Sequence, residues 1–168
     1  MMPKDRGVEP LKLFRTFVRN LPFAKAMGPL GGFMLSGRDK GGASFDLRSR
    51  EIVIDRVCAR CGCEYEWGVH VSIFAKAAKL TDAQVAATRS IEIDNQMWSD
   101  IELNLIIVID QLCKSGVVED EALIEFQNNW SKEQQLEIIA LAGAYHTVSF
   151  VANIAKLPNE SFGAEFPS

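Results

Sequence analysis

Apolar residues recur along this 168-residue chain at spacings of three and four, in one segment after another, with Gly, Pro and capping residues between the segments. No run alternates apolar and polar positions with the two-residue period of a strand, and no internal repeat or low-complexity tract appears. The pattern predicts an all-α protein. A first helix is expected over about Pro10 to Asn20, and Leu21-Pro22 opens a second, Phe23 to Leu35, which Ser36-Gly37 ends. A polar loop, Arg38 to Ser44, leads to Asp46, a good N-cap for a third helix reaching Cys61. Gly62 interrupts, and the fourth helix, carrying Glu66 and His70, is expected to run to Leu80.

Thr81 with Gln84 three residues later forms a capping-box pattern for a helix to Ile91. A long apolar helix follows from Gln96 to Lys114 and stops at Gly116. Asp120 caps a short helix to Asn128, and Ser131 with Gln134 opens the last one, which reaches about Leu157 before Pro158. Residues 159–168 read as an extended arm, residues 1–45 as a helical extension, and 46–158 as the main domain. Several helices, notably over Ile101 to Leu112 and Ile138 to Ile154, are apolar around more than half their circumference. One bundle of this size has limited interior to cover them, which predicts a homo-oligomer.

On the third helix, angular placement puts Leu47, Glu51, Ile54, Val57, Cys58 and Cys61 on one face with Arg50 beside them, and turns Arg48, Asp55 and Arg56 outward. Two charges, Arg50 and Glu51, thus face the apolar half. On the fourth helix, Glu66 and His70 fall ~40° apart and Cys63 lies within ~60° of Glu66, so a thiol, a carboxylate and an imidazole share a stripe. That stripe continues through Ile73, Phe74 and Ala77, and the polar groups stand at the head of an apolar seam.

A formal net charge of -4 with scattered Lys and Arg disfavours nucleic-acid binding. The opening residues lack the apolar core of a signal peptide, and Ile101 to Leu112 is too short to span a bilayer, so no membrane partner and a cytoplasmic location are expected. Three of the four cysteines crowd into positions 58 to 63, unlike a secreted disulfide framework, and read as thiols.

The order Arg50-Glu51, then Tyr65-Glu66-Trp67-Gly68-Val69-His70, then Thr81-Asp82-Ala83-Gln84 resembles the carboxymuconolactone decarboxylase family, within the alkylhydroperoxidase D-like superfamily. The stretch from Trp130 to Ile139 with Gly143-Ala144-Tyr145 resembles the family's last helix. The resemblance implies an alkylhydroperoxidase D-like helical bundle assembled as trimers, hexamers or related rings, and two chemistries. The peroxidase branch uses Cys-x-x-Cys-x-x-x-His with a Glu nineteen residues before the His. Here that Glu matches Glu51 and the first Cys matches Cys63, but the second Cys is replaced by Glu66, which removes the resolving thiol. Cys58-x-x-Cys61 has redox spacing, yet lies on the apolar face at a helix end, where small buried side chains are the simpler explanation.

The decarboxylase branch carries Tyr-Glu-Trp-x-x-His, present in full, and implies loss of CO2 from a carboxylated lactone of aromatic-acid catabolism with no cofactor and no metal. His70, Glu51 and Glu66 are the expected acid and base groups, Arg50 the cation for substrate carboxylate, and Trp67 a substrate contact that also fits a core role. Burial would tune the carboxylates and imidazole toward proton exchange near neutral pH. Cys63, at a helix N-terminus, is expected to have dipole support for a thiolate. Three readings result: a small-acid lyase, a thiol peroxidase using Cys63 or Cys58/Cys61, and a non-catalytic oligomer that binds small acids. Fixed Glu51-Arg50 and Glu66-His70 pairs, a metal held by Glu51, Cys63, Glu66 and His70, and a packing role for His146 are the competing structural explanations.

Overall fold

The structure is a computed structural model and describes residues 9–167. The opening residues, on which the reading of the amino terminus rests, lie outside that range. Among the described residues there are eight α-helices and no strand. They are α1 (Lys12–Phe17), α2 (Leu21–Leu35), α3 (Leu47–Arg60), α4 (Glu64–Phe74), α5 (Asp82–Ala87), α6 (Asp100–Ser115), α7 (Asp120–Asn129) and α8 (Lys132–Ile154), with a 3₁₀ turn at Arg38–Lys40.

The caps explain where most helices begin. Asp46 accepts from the Ser49 N–H at 2.7 Å, and Thr81 and Ser131 form the expected capping boxes with Gln84 and Gln134. A third box, Ser99 with Glu102, starts α6 at Asp100 rather than at Gln96. Gly116 takes the left-handed conformation that ends α6, at a φ of 74°.

Several expected C-termini lie too far along the chain, for identifiable reasons. α4 stops at Phe74, not Leu80: Lys79 adopts a φ of 57° and the Leu80 N–H turns back to the Ala75 carbonyl at 3.0 Å, a Schellman closure that buries Leu80. α8 ends the same way, at Ile154 rather than Leu157, with Lys156 at 49° and Leu157 bonded to the Ala152 carbonyl. α5 ends at Ala87, not Ile91, because the carbonyls of Ala87, Thr88 and Ser90 accept from Arg56 of α3 instead of from a further helical turn.

α3 is the axis of the bundle, packed against α4, α6 and α8, and every residue from Ser49 to Cys58 is buried. This corrects the outward placement of Asp55 and Arg56, which are 0% and 1% exposed. Helical angles assign one buried face; a helix surrounded on three sides has almost no other.

The carboxy-terminal arm runs back over α4. The Ala164 N–H donates to the Gly68 carbonyl at 3.1 Å, the Phe166 N–H to Glu64 Oε1 at 2.7 Å, and the Phe166 ring meets Trp67 at 5.2 Å. A Cβ on Gly68 would stand 2.1 Å from the Ala164 carbonyl oxygen, so this close crossing requires glycine. Lys12 of α1 and Tyr65 of α4 both bond Glu160 in the arm, tying both ends of the described chain to α4. α8 is long and apolar enough by length and composition to cross a membrane, but Ile138, Leu141, Ala142, Tyr145 and Val148 are buried in the bundle.

Candidate functional site

Glu51 and Asp55, one turn apart on α3, meet Glu66 and His70, one turn apart on α4, with Tyr145 of α8 closing the group. His70 Nδ1 lies 2.7 Å from Glu51 Oε2, and its Nε2 lies 2.9 Å from the Tyr145 hydroxyl and 3.5 Å from Glu66 Oε1. The His70 and Tyr145 rings stand edge to face at 5.1 Å. The expected meeting of His70 with both carboxylates is therefore observed, and all five side chains are buried.

The electrostatics follow from that burial. Desolvation by itself would lower the His70 pKa, but the hydrogen bonds to Glu51 and Glu66 and their charges outweigh it and push the group up to about 10. The imidazole is thus a cation at neutral pH. Nδ1–H then donates to Glu51, and Nε2–H donates to Tyr145 or Glu66. Receiving that proton leaves the Tyr145 O–H free to point elsewhere. Burial also holds the Tyr145 hydroxyl well above its ordinary range, so it stays a neutral donor. Asp55 is raised well above the usual carboxylate range, by desolvation first and the nearby Glu51 charge second.

Three oxygens of this group have no hydrogen-bond partner among the described residues: both of Asp55 and Oε2 of Glu66. Buried polar atoms are ordinarily paired, so these are the atoms with capacity left over. Glu66 is on the wall of a cavity of about 410 Å3, bounded by α1 and α2 on one side and by α4 and α8 on the other. Glu66, His70 and Tyr145 are its polar lining residues; the rest are Leu, Phe, Val, Ala, Met, Ile and Gly.

Two expected substrate contacts do not reach the cavity. Arg50 is committed to structure: its Nε donates to Glu51 Oε1 at 2.6 Å, its Nη1 to the Leu35 carbonyl at 2.7 Å, and its guanidinium lies 4.9 Å from the centre of the Phe74 ring. Trp67 turns the other way, donating from Nε1 to Thr88 Oγ1 at 2.9 Å and packing under the arm. It sits ~100° around α4 from Glu66, which is enough to change sides.

The thiols are also displaced from the expected role. Cys58 and Cys63 are fully buried, and desolvation raises both, as it raises Cys61. At Cys63 burial outweighs the dipole support expected of a helix N-terminus. None of the three lines the cavity. His146 lies apart from His70, with Nε2 3.1 Å from the Cys113 sulfur and Nδ1 3.8 Å from that of Cys61. Burial pushes the Cys113 thiol up to about 12 and lowers His146, leaving both neutral. No group of three or more His, Cys, Asp or Glu side chains among the described residues is arranged to hold a metal ion.

Asp55 and Tyr145 are the members of the site that sequence reasoning did not select. Asp55 had one available signal, its four-residue spacing from Glu51. Tyr145 stands 75 residues from His70, and nothing local to it announces the contact.

In comparisons with known proteins, the model of the Carboxymuconolactone decarboxylase family matches residues 23–98, from the first turn of α2 to the segment before α6. That span includes Arg50, Glu51, Asp55, Glu66 and His70 and excludes Tyr145. No curated protein and no solved structure matches the chain.

Proposed function

We propose, from the match of residues 23–98 to the model of the carboxymuconolactone decarboxylase family, that the protein is a lyase acting by acid/base chemistry on a small carboxylated lactone or related acid. The observation that carries the reading is His70, hydrogen-bonded between Glu51 and Tyr145 at the polar end of an otherwise apolar cavity. Loss of CO2 from a carboxylate leaves its electron pair on the remaining carbon skeleton, delocalised onto an adjacent carbonyl oxygen. The Tyr145 O–H, kept neutral by burial, is the donor for that oxygen. His70 delivers a proton to the carbon, directly or through Glu66, and regains one from solvent, so the net change is replacement of CO2 by H. Glu51 holds the imidazole in position and stabilises its charged form. The apolar walls hold the uncharged body, and burial at the polar end leaves the substrate carboxylate short of water, which favours its departure as neutral CO2.

A thiol peroxidase remains the rival, and it would use Cys63 or the Cys58/Cys61 pair. The acid/base reading is favoured because the cavity is lined by His70, Glu66 and Tyr145 and by no cysteine. The test is CO2 release from a panel of carboxylated lactones and ring-cleavage acids, run beside peroxide consumption with a dithiol reductant. Release that disappears in His70→Ala and Glu51→Gln supports the lyase. Peroxide turnover that disappears in Cys63→Ser supports the rival. Binding of small acids, seen as thermal stabilisation with no product, supports a non-catalytic binder.

We also propose self-association through α8. Leu136, Ile139, Phe150 and Ile154 are exposed by 70%, 48%, 56% and 86%, and their spacing sets them along one stripe with Gly143. A second copy presenting the same stripe would cover it. Leu136→Glu with Ile139→Glu should then give a smaller species in sedimentation.

A further inference from the structure

Met27, Leu30 and Met34 of α2 line one edge of the cavity, but the stripe beside them is built unlike a core-packing helix. Ala24, Gly28, Gly31 and Leu35 recur along it at intervals of three and four, with Gly32 adjoining, and all line the cavity. A helix that fills a core places Leu or Ile on such a stripe. Here the middle of the stripe has no side chains at all. The glycines are not demanded by the backbone: none has a positive φ, and a Cβ on Gly28, Gly31 or Gly32 would meet no heavy atom within 4 Å. Glycine in a helix interior weakens it, so three within five residues, around Pro29, is a local cost without a local structural return. What the glycines do leave is volume.

The helix is nonetheless held at both ends. The Phe23 ring meets Phe17 of α1 at 5.8 Å, while the carbonyls of Phe33 and Leu35 accept from the Ala43 N–H and from Arg50. The open stripe between these anchors faces the polar group across the cavity. That polar group lies at one end only. Among the described residues no Lys or Arg lines the cavity, and Arg50 is spent on Glu51 and Leu35. A second charge on a ligand would lie along apolar walls with no cationic partner among the described lining residues.

We propose that the site takes a monoacid with an uncharged hydrocarbon or aryl body, its single acidic function at Glu66, His70 and Tyr145 and its body along Gly28, Gly31 and Gly32, which set the length accepted. At ~30 Å3 for each water-sized unit of liquid, the 410 Å3 cavity holds a body of about a dozen non-hydrogen atoms. This rests on the acid/base reading for which end is polar, and it narrows the substrate class to acids without a second carboxylate.

The test is calorimetric binding of hexanoate, octanoate, decanoate and adipate to the full chain. Affinity is expected to rise about fourfold per methylene from hexanoate to decanoate, the factor that corresponds to ~0.8 kcal/mol per buried CH2. Adipate, of the same length as hexanoate with a second carboxylate, should bind at least tenfold more weakly. Gly31→Leu should weaken decanoate at least tenfold and hexanoate less than threefold, with no loss of helical circular dichroism; Gly28→Leu, at the neighbouring stripe position, provides the same readout if Gly31→Leu does not fold. Adipate binding as well as hexanoate, or decanoate binding unchanged in the leucine variants, overturns the proposal. CO2 release from dicarboxylated lactones with a flat binding series would sink the monoacid inference and leave the acid/base reading standing. A steep series in a protein whose His70→Ala variant keeps full turnover would do the reverse.

Discussion

Arg56 and Arg60 leave α3 toward α6, whereas Glu51 and Asp55 leave the same helix toward His70. On the first flank both arginines grip Asp110 through Nε and Nη2 at 2.6 to 2.7 Å, and Arg56 Nη1 takes the carbonyls of Ala87, Thr88 and Ser90. Burial would raise Asp110, but hydrogen bonds from Arg60 and Arg56 outweigh it and hold the carboxylate below its usual range. On the second flank Glu66 Oε2, on the cavity wall, lacks a partner among the described residues, and an imidazolium is shared among acids. Buried charge that is completely partnered is architecture; buried charge left with spare capacity beside a cavity has something still to bind.

Substitutions on the two flanks should therefore fail in different ways. His70→Ala and Glu51→Gln are expected to lower turnover by about 10² to 10⁴-fold, the usual worth of a positioned acid/base group, and Glu51→Gln should also lower the unfolding midpoint, because Arg50 and His70 lose a buried anionic partner. Arg56→Ala should instead unfold easily, losing ~3–5 kcal/mol as Asp110 and three carbonyls lose a buried partner, as read from denaturant titration. A loss of turnover in folded Arg56→Ala as large as that in His70→Ala would erase the distinction between the flanks.

The pH response sharpens it further. The His70 pKa is raised from 6.5 to about 10, so the stability contributed by its charged form is complete below the lower value and disappears as pH rises through the upper one. Turnover should fall in the same alkaline window. In Glu51→Gln, which removes a major partner, the imidazole should titrate at lower pH, followed by NMR of the ring nitrogens. Asp55 has the opposite consequence. A carboxyl raised in the folded state costs stability as pH climbs above the ordinary carboxylate range, so Asp55→Asn should flatten that decline when unfolding midpoints are compared at pH 4 and pH 8. The smallest effect is expected at Cys63, where Cys63→Ser should change lyase turnover by less than about twofold, because the thiol is buried away from the cavity and its ionisation is suppressed.

Local chemistry was legible along the chain wherever a few neighbouring residues decide the outcome. Asp46, Thr81 and Ser131 cap the helices they were expected to cap, and the face shared by Glu66 and His70 follows from helical spacing alone. The approach of Glu51 to His70 came from the family pattern and is met at 2.7 Å. Trp67 and Arg50 show the limit: each is adjacent in sequence to a site residue, yet a rotation of ~100° or a nearby carboxylate and carbonyl redirects it.

The sequence by itself determined that this is an all-α chain, where most of its helices begin, and that a carboxylate and an imidazole share one turn, because caps and periodicity act over three or four residues. Only the tertiary structure decided that Asp55 and Arg56 are buried, that Tyr145 meets His70 from 75 residues away, and that the stripe on α2 stands open over the site. Those outcomes depend on which helices surround α3 and how closely α2 approaches α4 and α8, and no local interaction carries that information.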